Sequence, residues 1–467
     1  MKNKIAIIGA GVGGLATAAR LSFKGHPVEV YEKLTCCGGR ANIIEDKGFK
    51  FDTGPSFVMM PDFFKEVFDY CQEDIKAYLD LKVLDKNYKI FYPDGDSLTI
   101  HKDNQKTEAE LERIEPGSSK GYKNFIVETG KIYKAVVPLL YRCFRPQDAF
   151  NPAYWKLINK LHLGKSYWQL AKKFFKSDKL CYAFTFEAMF IGVSPFKTPA
   201  FYSVIGYTDQ VDKIAHPIGG MYQIPKALEK MALKFGTKFN YQREITSLEE
   251  IKADKFVINA DYSFAQSKLL GKKIPDYDYS CSVLLFYWGM KKKIPNLEHH
   301  NLFFAQDLRN NLKNIFQNGI VGDDFSFYIH VPTVTDPSLA PEGKDILYIL
   351  APVPNLKTFK GDFKIYEDRI RKKVIAKIES LCGFKIEDSI ETEHKFYPED
   401  FIKKYSILYG ATFGLAHSLK QSAFFRPPNY TSKQKNIYFV GASTQPGGGL
   451  PPVIASSRIV ADLITKS

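Results

Sequence analysis

Three glycines near the start of the chain, Gly9, Gly11 and Gly14, are followed by the acid Glu32. In this spacing the first glycine permits a tight turn, the second lets the backbone approach a diphosphate, and the third lets a helix pack closely on a strand. Amide groups at the start of that helix favour an anion. The Glu32 carboxylate can accept hydrogen bonds from two ribose hydroxyls and disfavours a 2′-phosphate. The pattern predicts a dinucleotide site.

The far end of the chain carries a second glycine-rich turn. A short apolar segment, residues 436–440, is followed by the glycine-rich run from Gly441 to Gly449 and by a helix predicted from about Pro452. Backbone amides at the start of such a helix can hydrogen-bond the edge of an electron-rich ring. No other Gly-x-Gly-x-x-Gly follows a strand, so we predict no separate nicotinamide-binding domain.

Side chains for other kinds of chemistry are scattered. The seven cysteines have no Cys-x-x-Cys spacing, so the sequence predicts free thiols and no metal site. Arg142, Arg145 and Asp148 stand together in an apolar stretch and are candidates for removing a proton or for binding one end of a substrate; a surface cluster of charges is the alternative. His216 is a further candidate, with a structural histidine as its alternative.

The elements that position the glycines can be predicted from hydrophobic periodicity. Lys4–Ile8 indicates a buried strand, the next segment a helix that ends at Gly25, and Val28–Glu32 a second strand, which together form the β-α-β unit that a dinucleotide motif requires. Residues 88–100 predict a hairpin. Later strands are predicted at residues 239–245, 255–261, 283–288, 325–331 and 346–351, with helices near residues 224–235 and 367–382.

Residues 107–190 are predicted to be helical and are rich in aromatic residues and lysine. Their apolar runs, residues 136–141 and 154–158, indicate either an ordinary helical core or a patch that dips into lipid. The net charge of +14 fits an anionic membrane face or a lysine-rich solvated surface, and no nucleic-acid motif accompanies it. No stretch approaches the ~20 apolar residues that span a bilayer. We therefore expect a soluble or peripheral protein.

Several stretches in order along the chain resemble the bacterial phytoene desaturase-type carotenoid desaturases, within the flavin amine-oxidase superfamily. They are Gly38–Arg40, Asp52–Pro61, Ile114–Gly117, His216–Gly220, Tyr279–Ser282, Asp336–Gly343, Phe413–Leu415, Phe425–Pro427 and Phe439–Pro452. The resemblance implies that FAD is the cofactor, that Gly39 and Arg40 wrap its diphosphate, and that the loop of Gly54 and Pro55 passes near the isoalloxazine. The predicted cofactor-binding set is Gly9, Gly11, Gly14, Glu32, Gly39, Arg40, Gly54, Pro55, Ser56, Ile245, Gly441, Gly449, Leu450, Pro452 and Val453.

The resemblance further implies an enzyme that introduces carbon–carbon double bonds into phytoene or its C30 homologue diapophytoene. Such a substrate is a long polyisoprenoid, which must be loaded from a membrane, so we expect peripheral association with the inner face of the cell membrane. The electron acceptor is expected to be a quinone or oxygen. The alternatives are a carotenoid isomerase or oxidase, an amine oxidase, and a prenyl-protein escort without flavin.

The predicted fold class is α/β, with a discontinuous Rossmann-like FAD domain, a mixed-sheet substrate domain and a helical membrane-facing subdomain. The FAD domain is predicted to comprise residues 1–75, 215–272 and 432–467. The substrate domain is assigned to residues 76–110 and 273–431, and the helical subdomain to residues 111–214.

Overall fold

The structure is a computed structural model that describes residues 2–155, 157–432 and 434–466. Two sheets and a helical region account for most of its architecture. The strands are β1 (Ile5–Ile8), β2 (Val28–Tyr31), β3 (Ile43–Asp46), β4 (Phe49–Asp52), β5 (Leu81–Val83), β6 (Lys86–Phe91), β7 (Ser97–His101), β8 (Ala215–Pro217), β9 (Lys238–Asn240), β10 (Lys255–Ile258), β11 (Ser282–Met290), β12 (His300–Phe303), β13 (Phe327–His330), β14 (Asp345–Val353), β15 (Ile390–Phe396) and β16 (Ile437–Phe439).

The α-helices range from single turns to 19 residues. They are α1 (Val12–Phe23), α2 (Pro61–Tyr70), α3 (Asn104–Ile114), α4 (Ser118–Val136), α5 (Pro152–Trp155), α6 (Leu157–Lys160), α7 (Tyr167–Ala171), α8 (Asp178–Ala183), α9 (Val204–Val211), α10 (Gln223–Lys234), α11 (Tyr262–Phe264), α12 (Leu308–Lys313), α13 (Lys364–Cys382), α14 (Pro398–Tyr405) and α15 (Leu450–Thr465). Several 3₁₀ turns connect them, among them Val137–Tyr141, Pro146–Phe150 and Ala423–Phe425.

The first sheet is parallel and has the order β16-β10-β1-β2-β9. The four residues of β1 are buried, as expected for a strand covered on both faces. Helices α1, α10 and α15 pack together beside it. Its strands come from all three segments predicted for the FAD domain, which confirms the Rossmann-like fold class. The domain boundaries themselves remain a prediction.

The second sheet has the order β15-β11-β14-β13-β12-β6-β7 and is antiparallel except where β12 pairs with β6. All nine residues of β11 are buried, because this strand lies inside the sheet with side chains packed on both faces. The predicted hairpin of residues 88–100 is present as β6 and β7. The sequence thus indicated a mixed sheet, and the structure confirms it.

The helical region lies between the two β-rich parts of the chain. Helix α4 packs on α3 and α9, and its buried face includes Tyr122, Phe125 and Ile132. Together with α7, α8 and the 3₁₀ turns, this region joins the largest hydrophobic cluster, which also includes residues of β6, β7 and β11. Across the part of the chain that the structure describes, no helix is both long enough and apolar enough to cross a bilayer.

Candidate functional site

The loop between β1 and α1 has no room for side chains. A Cβ at Gly14 would lie 2.2 Å from the carbonyl oxygen of Gly9, and one at Gly11 would lie 2.7 Å from the side-chain nitrogen of Asn259. Gly9 itself has a φ of +101°, which favours glycine. Helix α1 has no side-chain cap and no acid in its first turn. Its first amide groups are therefore available to an anion.

Glu32 follows β2 and is 7% exposed. One carboxylate oxygen accepts from the amide of Ala10 at 2.7 Å, and the other accepts from the amide of Leu34 at 2.9 Å. These two bonds hold the carboxylate beside the glycine loop, with lone pairs left for hydroxyl donors. Ile245 is buried close to the end of β2, because the amide of Arg243, two residues earlier, donates to the carbonyl of Glu32.

The segment from Gly38 to Gly54 closes over the first loop. The amide of Gly38 donates to the carbonyl of Ala10 at 2.8 Å, and a Cβ at Gly39 would lie 3.3 Å from Cα of Gly11. A Cβ at Gly54 would lie 2.2 Å from the carbonyl oxygen of Arg40. These close approaches explain why glycine is needed here and place Arg40 next to the start of α1.

The Arg40 guanidinium donates to the carbonyl oxygen of Thr412 at 2.7 Å. Burial lowers its pKa, and the nearby carboxylate of Asp261 opposes that shift. A cation in this position is stabilised when an anionic group such as a diphosphate lies beside it, since burial disfavours an isolated charge.

The C-terminal segment returns to the same place. The amide of Gly441 donates to Ser456 at 3.2 Å, and Cγ1 of Val453 would lie 3.0 Å from a Cβ at Gly13. The chain therefore brings both of its ends to the start of α1. Of the remaining predicted residues, Gly449 precedes α15, and Leu450 and Pro452 line the cavity described below.

The helix at this end differs from the prediction in one chemical respect. Helix α15 begins at Leu450, two residues before the predicted start, so Pro451 and Pro452 occupy its first turn. Proline has no amide hydrogen, and the amide of Val453 already donates to the carbonyl of Gly449 at 3.0 Å. The start of α15 therefore has fewer free amide donors than predicted, although its helix dipole would still favour negative charge on a bound ring.

Three residues that the sequence analysis did not assign to the site hold its loops. Asn259 donates to the carbonyl of Gly9 at 3.2 Å. Arg426 is fully buried and donates to the carbonyls of Ala442 and Thr444, in the glycine-rich turn before α15. His417 accepts from the amide of Gly448 at 2.9 Å. The position of Asn259 directly after a buried strand, like that of Glu32, was the available signal for one of them.

A cavity of about 660 Å³ begins at these loops. Gly54, Pro55 and Ser56 form part of its wall, with Gly448 and Gly449 opposite in the C-terminal turn. From there it extends between the second sheet and the helical region. The described residues that line it include no aspartate, glutamate, lysine, arginine or histidine, and most are aromatic or aliphatic.

The predicted interfacial runs contribute to the cavity wall. Val136, Leu139, Leu140, Tyr154 and Leu157 line it. Leu419 and Phe425 also line it, and these two side chains are 45% and 67% exposed to solvent. Because they are both lining and exposed, the cavity reaches the surface beside the helical region.

The four candidate catalytic residues are not part of the cavity wall. Arg142 is exposed, and its guanidinium donates to the hydroxyl of Tyr154 at 2.7 Å. Tyr154 lines the cavity, so Arg142 reaches the cavity only through this residue. The Asp148 carboxylate accepts from the backbone amide of Arg145 at 2.8 Å and so caps the 3₁₀ turn Pro146–Phe150. His216 is fully buried in β8. Their catalytic roles remain predictions.

Comparison with known proteins identifies the family. Residues 12–263 match the family of flavin containing amine oxidoreductases. The chain is 36% identical to a zeta-carotene-forming phytoene desaturase from Myxococcus xanthus, over 98% of this chain and 93% of the relative. It is 35% identical to a 4,4′-diapophytoene desaturase (4,4′-diaponeurosporene-forming) from Staphylococcus aureus (strain bovine RF122 / ET3-1), over 99% of both chains. The chain belongs to the flavin-dependent carotenoid desaturases.

A solved structure supports the fold of this desaturase. Wild-type putrescine oxidase bound to putrescine superimposes with a TM-score of 0.62 at 14% identity, over 100% of both chains. FAD is the cofactor, and the residues of the desaturase fit it. The glycine loops would let the backbone approach the diphosphate, the Glu32 carboxylate would accept from the ribose hydroxyls, and Arg40 would provide a cation for the phosphates. The assignment of each contact to an individual residue remains a prediction.

Proposed function

We propose that this desaturase introduces carbon–carbon double bonds into a linear C40 or C30 polyisoprenoid, namely phytoene or diapophytoene. The observation that supports this proposal is the cavity, which runs from the loops of residues 54–56 and 448–449, here called the flavin-side loops, to the surface with mainly hydrocarbon walls. A long apolar chain loses little by leaving a membrane for such walls, because both environments are apolar. The relatives named for phytoene and diapophytoene desaturation agree with it.

The same walls disfavour an amine substrate. A protonated amine in this cavity would be removed from water without a carboxylate partner among the described lining residues. Burying an unpaired ammonium is strongly unfavourable. The polar atoms near the flavin-side end include the Ser56 hydroxyl, which accepts from the Tyr328 hydroxyl at 3.0 Å. Both groups are neutral, so they suit a hydrocarbon better than a cation.

When bound, FAD supplies the acceptor for a hydride from an allylic carbon. The chain supplies orientation and a dry environment. The ring of Phe57 packs against the rings of Phe190 and His300, with centroid separations of 4.5 and 4.2 Å. These contacts fix the cavity wall next to Pro55 and Ser56. Exclusion of water by these walls would prevent water from adding to the polyene while positive charge develops along it.

The substrate can be tested by expressing the chain in cells that make either phytoene or diapophytoene and separating the pigments by chromatography. We expect a new, longer-wavelength chromophore with at least one substrate, and the number of added double bonds follows from its spectrum. A flavin-loaded protein that leaves both substrates unchanged would contradict the proposal and favour an isomerase or oxidase.

We further propose that the desaturase loads its substrate from the inner face of the cell membrane, at the cavity opening. Phe150 is 79% exposed on the turn that packs against Ala423–Phe425, next to the exposed Leu419 and Phe425. Arg142, Arg145 and Lys420 are exposed close to these residues in the chain. Apolar side chains with basic neighbours favour an anionic lipid surface.

The membrane surface can be tested by co-sedimentation with vesicles containing phosphatidylglycerol. We expect the double variant Leu419→Ser/Phe425→Ser to bind several-fold less than the wild type, and Ile365→Ser to bind like it. Ile365 is a matched control because it is 74% exposed on α13 and does not line the cavity. Equal binding by all three proteins would exclude this opening as the contact surface.

For the electron acceptor we propose a quinone or oxygen, since the sequence has no second dinucleotide motif. Reoxidation of the reduced desaturase can be followed by flavin absorbance under argon. We expect a soluble quinone or dissolved oxygen to restore the oxidised spectrum and NAD⁺ to leave it unchanged. Reoxidation by NAD⁺ alone would contradict the proposal.

A further inference from the structure

Three histidines that are far apart in the sequence meet in the interior of the protein. His216 lies in β8, His299 directly precedes β12, and His330 ends β13. Each histidine offers one ring nitrogen as a ligand atom, and these three nitrogens all lie within 4.8 Å of one another. Each side chain is at most 3% exposed. This three-histidine cluster does not line the substrate cavity.

Some ring nitrogens of the cluster have no hydrogen-bond partner. The Nε2 atoms of His299 and His330 face each other at 2.9 Å. Both ring nitrogens of His216 are buried without a hydrogen-bond partner, and the nearest carboxylate oxygen, on Asp336, is 3.7 Å from its Nε2. Burying an imidazole without a hydrogen-bond partner is unfavourable. A metal ion bound to the ring nitrogen of His216 would remove this cost.

From this geometry we propose that His216, His299 and His330 bind one Zn²⁺ ion. Zinc binds histidine nitrogen at about 2.0–2.1 Å, which places the ligand atoms of a tetrahedral site roughly 3.3 Å apart. One observed separation is 2.9 Å and all three ligand atoms lie within 4.8 Å of one another, which is compatible with that spacing.

The surroundings of the cluster also suit a metal ion. Nδ1 of His299 is 2.7 Å from the hydroxyl of Thr335, a contact that orients the ring with Nε2 towards His330. Asp336 is 2% exposed and provides a negative charge beside His216.

A zinc ion here would fasten two parts of the molecule next to the cavity. β8 pairs with β5, and Ala215 is bridged to Val58, close to the flavin-side loop. β12 and β13 belong to the second sheet, and β13 carries Tyr328, a lining residue whose hydroxyl is 2.6 Å from Nδ1 of His300. The ion would thus cross-link the flavin-side loop to the sheet that forms the cavity wall.

The test uses the FAD-loaded full-length protein, stripped with a chelator and titrated with Zn²⁺ against a competing indicator. We expect about one Zn²⁺ per chain, a rise in melting temperature of about 5 °C with zinc, and visible d–d absorption bands when Co²⁺ is added instead. These readouts do not depend on catalysis, so their failure is separate from failure of the proposed function.

Variants locate the ion. His299→Gln and His330→Gln should abolish the cobalt bands and the zinc-dependent rise in melting temperature, whereas His101→Gln, on β7, should behave like the wild type. Thr335→Ala keeps all three ligands and should weaken zinc binding by about 10-fold, which provides a test if the histidine variants fail to retain FAD. Absence of zinc binding by the wild type, or unchanged binding by every cluster variant, would overturn the proposal and leave a network of neutral histidines.

Discussion

At the residue scale, Gly14 shows how little freedom the flavin loop has. An added Cβ would lie 2.2 Å from the carbonyl oxygen of Gly9 and 3.2 Å from the Asn259 side chain. The first of these atoms belongs to the backbone and cannot rotate away, so the β1–α1 turn itself would have to move. This position therefore permits a sharp test of the cofactor site.

We expect Gly14→Ala to weaken FAD binding by about tenfold or more, because overpacking of this kind costs about 1–3 kcal/mol. The measurement is the ratio of flavin absorbance to protein after purification and FAD titration. Gly164→Ala is the matched control, because nothing lies within 4 Å of its added Cβ and its φ is not positive. Full flavin content in Gly14→Ala would contradict the assignment of this loop to the diphosphate.

Single residues also show where sequence reasoning stopped. Gly9, Gly11 and Glu32 were predictable because their spacing is local and their geometry follows from one β-α-β unit. Arg426 donates to two carbonyls of the glycine-rich turn and to the carbonyl of Gln421, yet in the sequence it is an ordinary arginine in a loop. Its role depends on carbonyl groups that only the folded chain directs towards it.

At the element scale, a pair of buried acids joins α9 to the turn Phe186–Ile191. Asp209 and Glu187 are fully buried, and the Tyr88 hydroxyl of β6 lies 2.7 Å from the first and 3.3 Å from the second. Burial raises the pKa of Asp209 to about 7. Burial, and then the charge of Asp209, raise the pKa of Glu187 well above its ordinary value. The folded protein therefore keeps protons that the unfolded chain releases at lower pH.

This uptake of protons predicts the sign of the pH dependence. The free energy of unfolding should fall as pH rises from about 4 to about 7, by up to ~1.4 kcal/mol per pH unit for each proton held. We expect the double variant Glu187→Gln/Asp209→Asn to show a shallower decrease in melting temperature between about pH 5 and pH 7.5. The exposed pair Asp178→Asn/Glu387→Gln is the control. Equal slopes for the double variant and the wild type would refute the interpretation that Asp209 and Glu187 keep their protons in the folded protein.

Some elements followed from periodicity and others did not. β1, α1, the β6–β7 hairpin and α13 lie within a few residues of their predicted positions, because each has a regular apolar pattern or a clear turn. β9 is limited to Lys238–Asn240, although the pattern predicted a strand as far as Ile245. β12 and β15 were not predicted, since their short or polar sequences become strands only by pairing with β13 and β11.

At the scale of the whole molecule, the predicted FAD site combines segments from both ends of the chain. Helices α1 and α15 meet at Gly13 and Val453, and the Gly38–Gly54 segment covers the loop before α1. A ligand bound at this junction stabilises only the folded arrangement of all three segments. Its removal should therefore affect the stability of the entire protein.

We expect the apoprotein to melt at a lower temperature than the FAD-loaded protein, since free FAD at ~100 times its Kd adds about 2.7 kcal/mol. ADP contains the ribose and diphosphate but no isoalloxazine, so it should restore part of the difference. Differential scanning fluorimetry at 330 nm and 350 nm intrinsic emission would measure each state. A melting temperature that is insensitive to both ligands would be inconsistent with a site shared by the chain termini.

The sequence by itself determined the cofactor class and the fold class, because a diphosphate site is built from local backbone geometry and the matching stretches occur in order along the chain. Only the tertiary structure decided what lies around that site. The hydrocarbon walls of the cavity come from residues between Gly54 and Pro452, and the three-histidine cluster unites His216, His299 and His330. Such groupings arise from long-range packing of sheets and helices, and no local spacing in the chain encodes them.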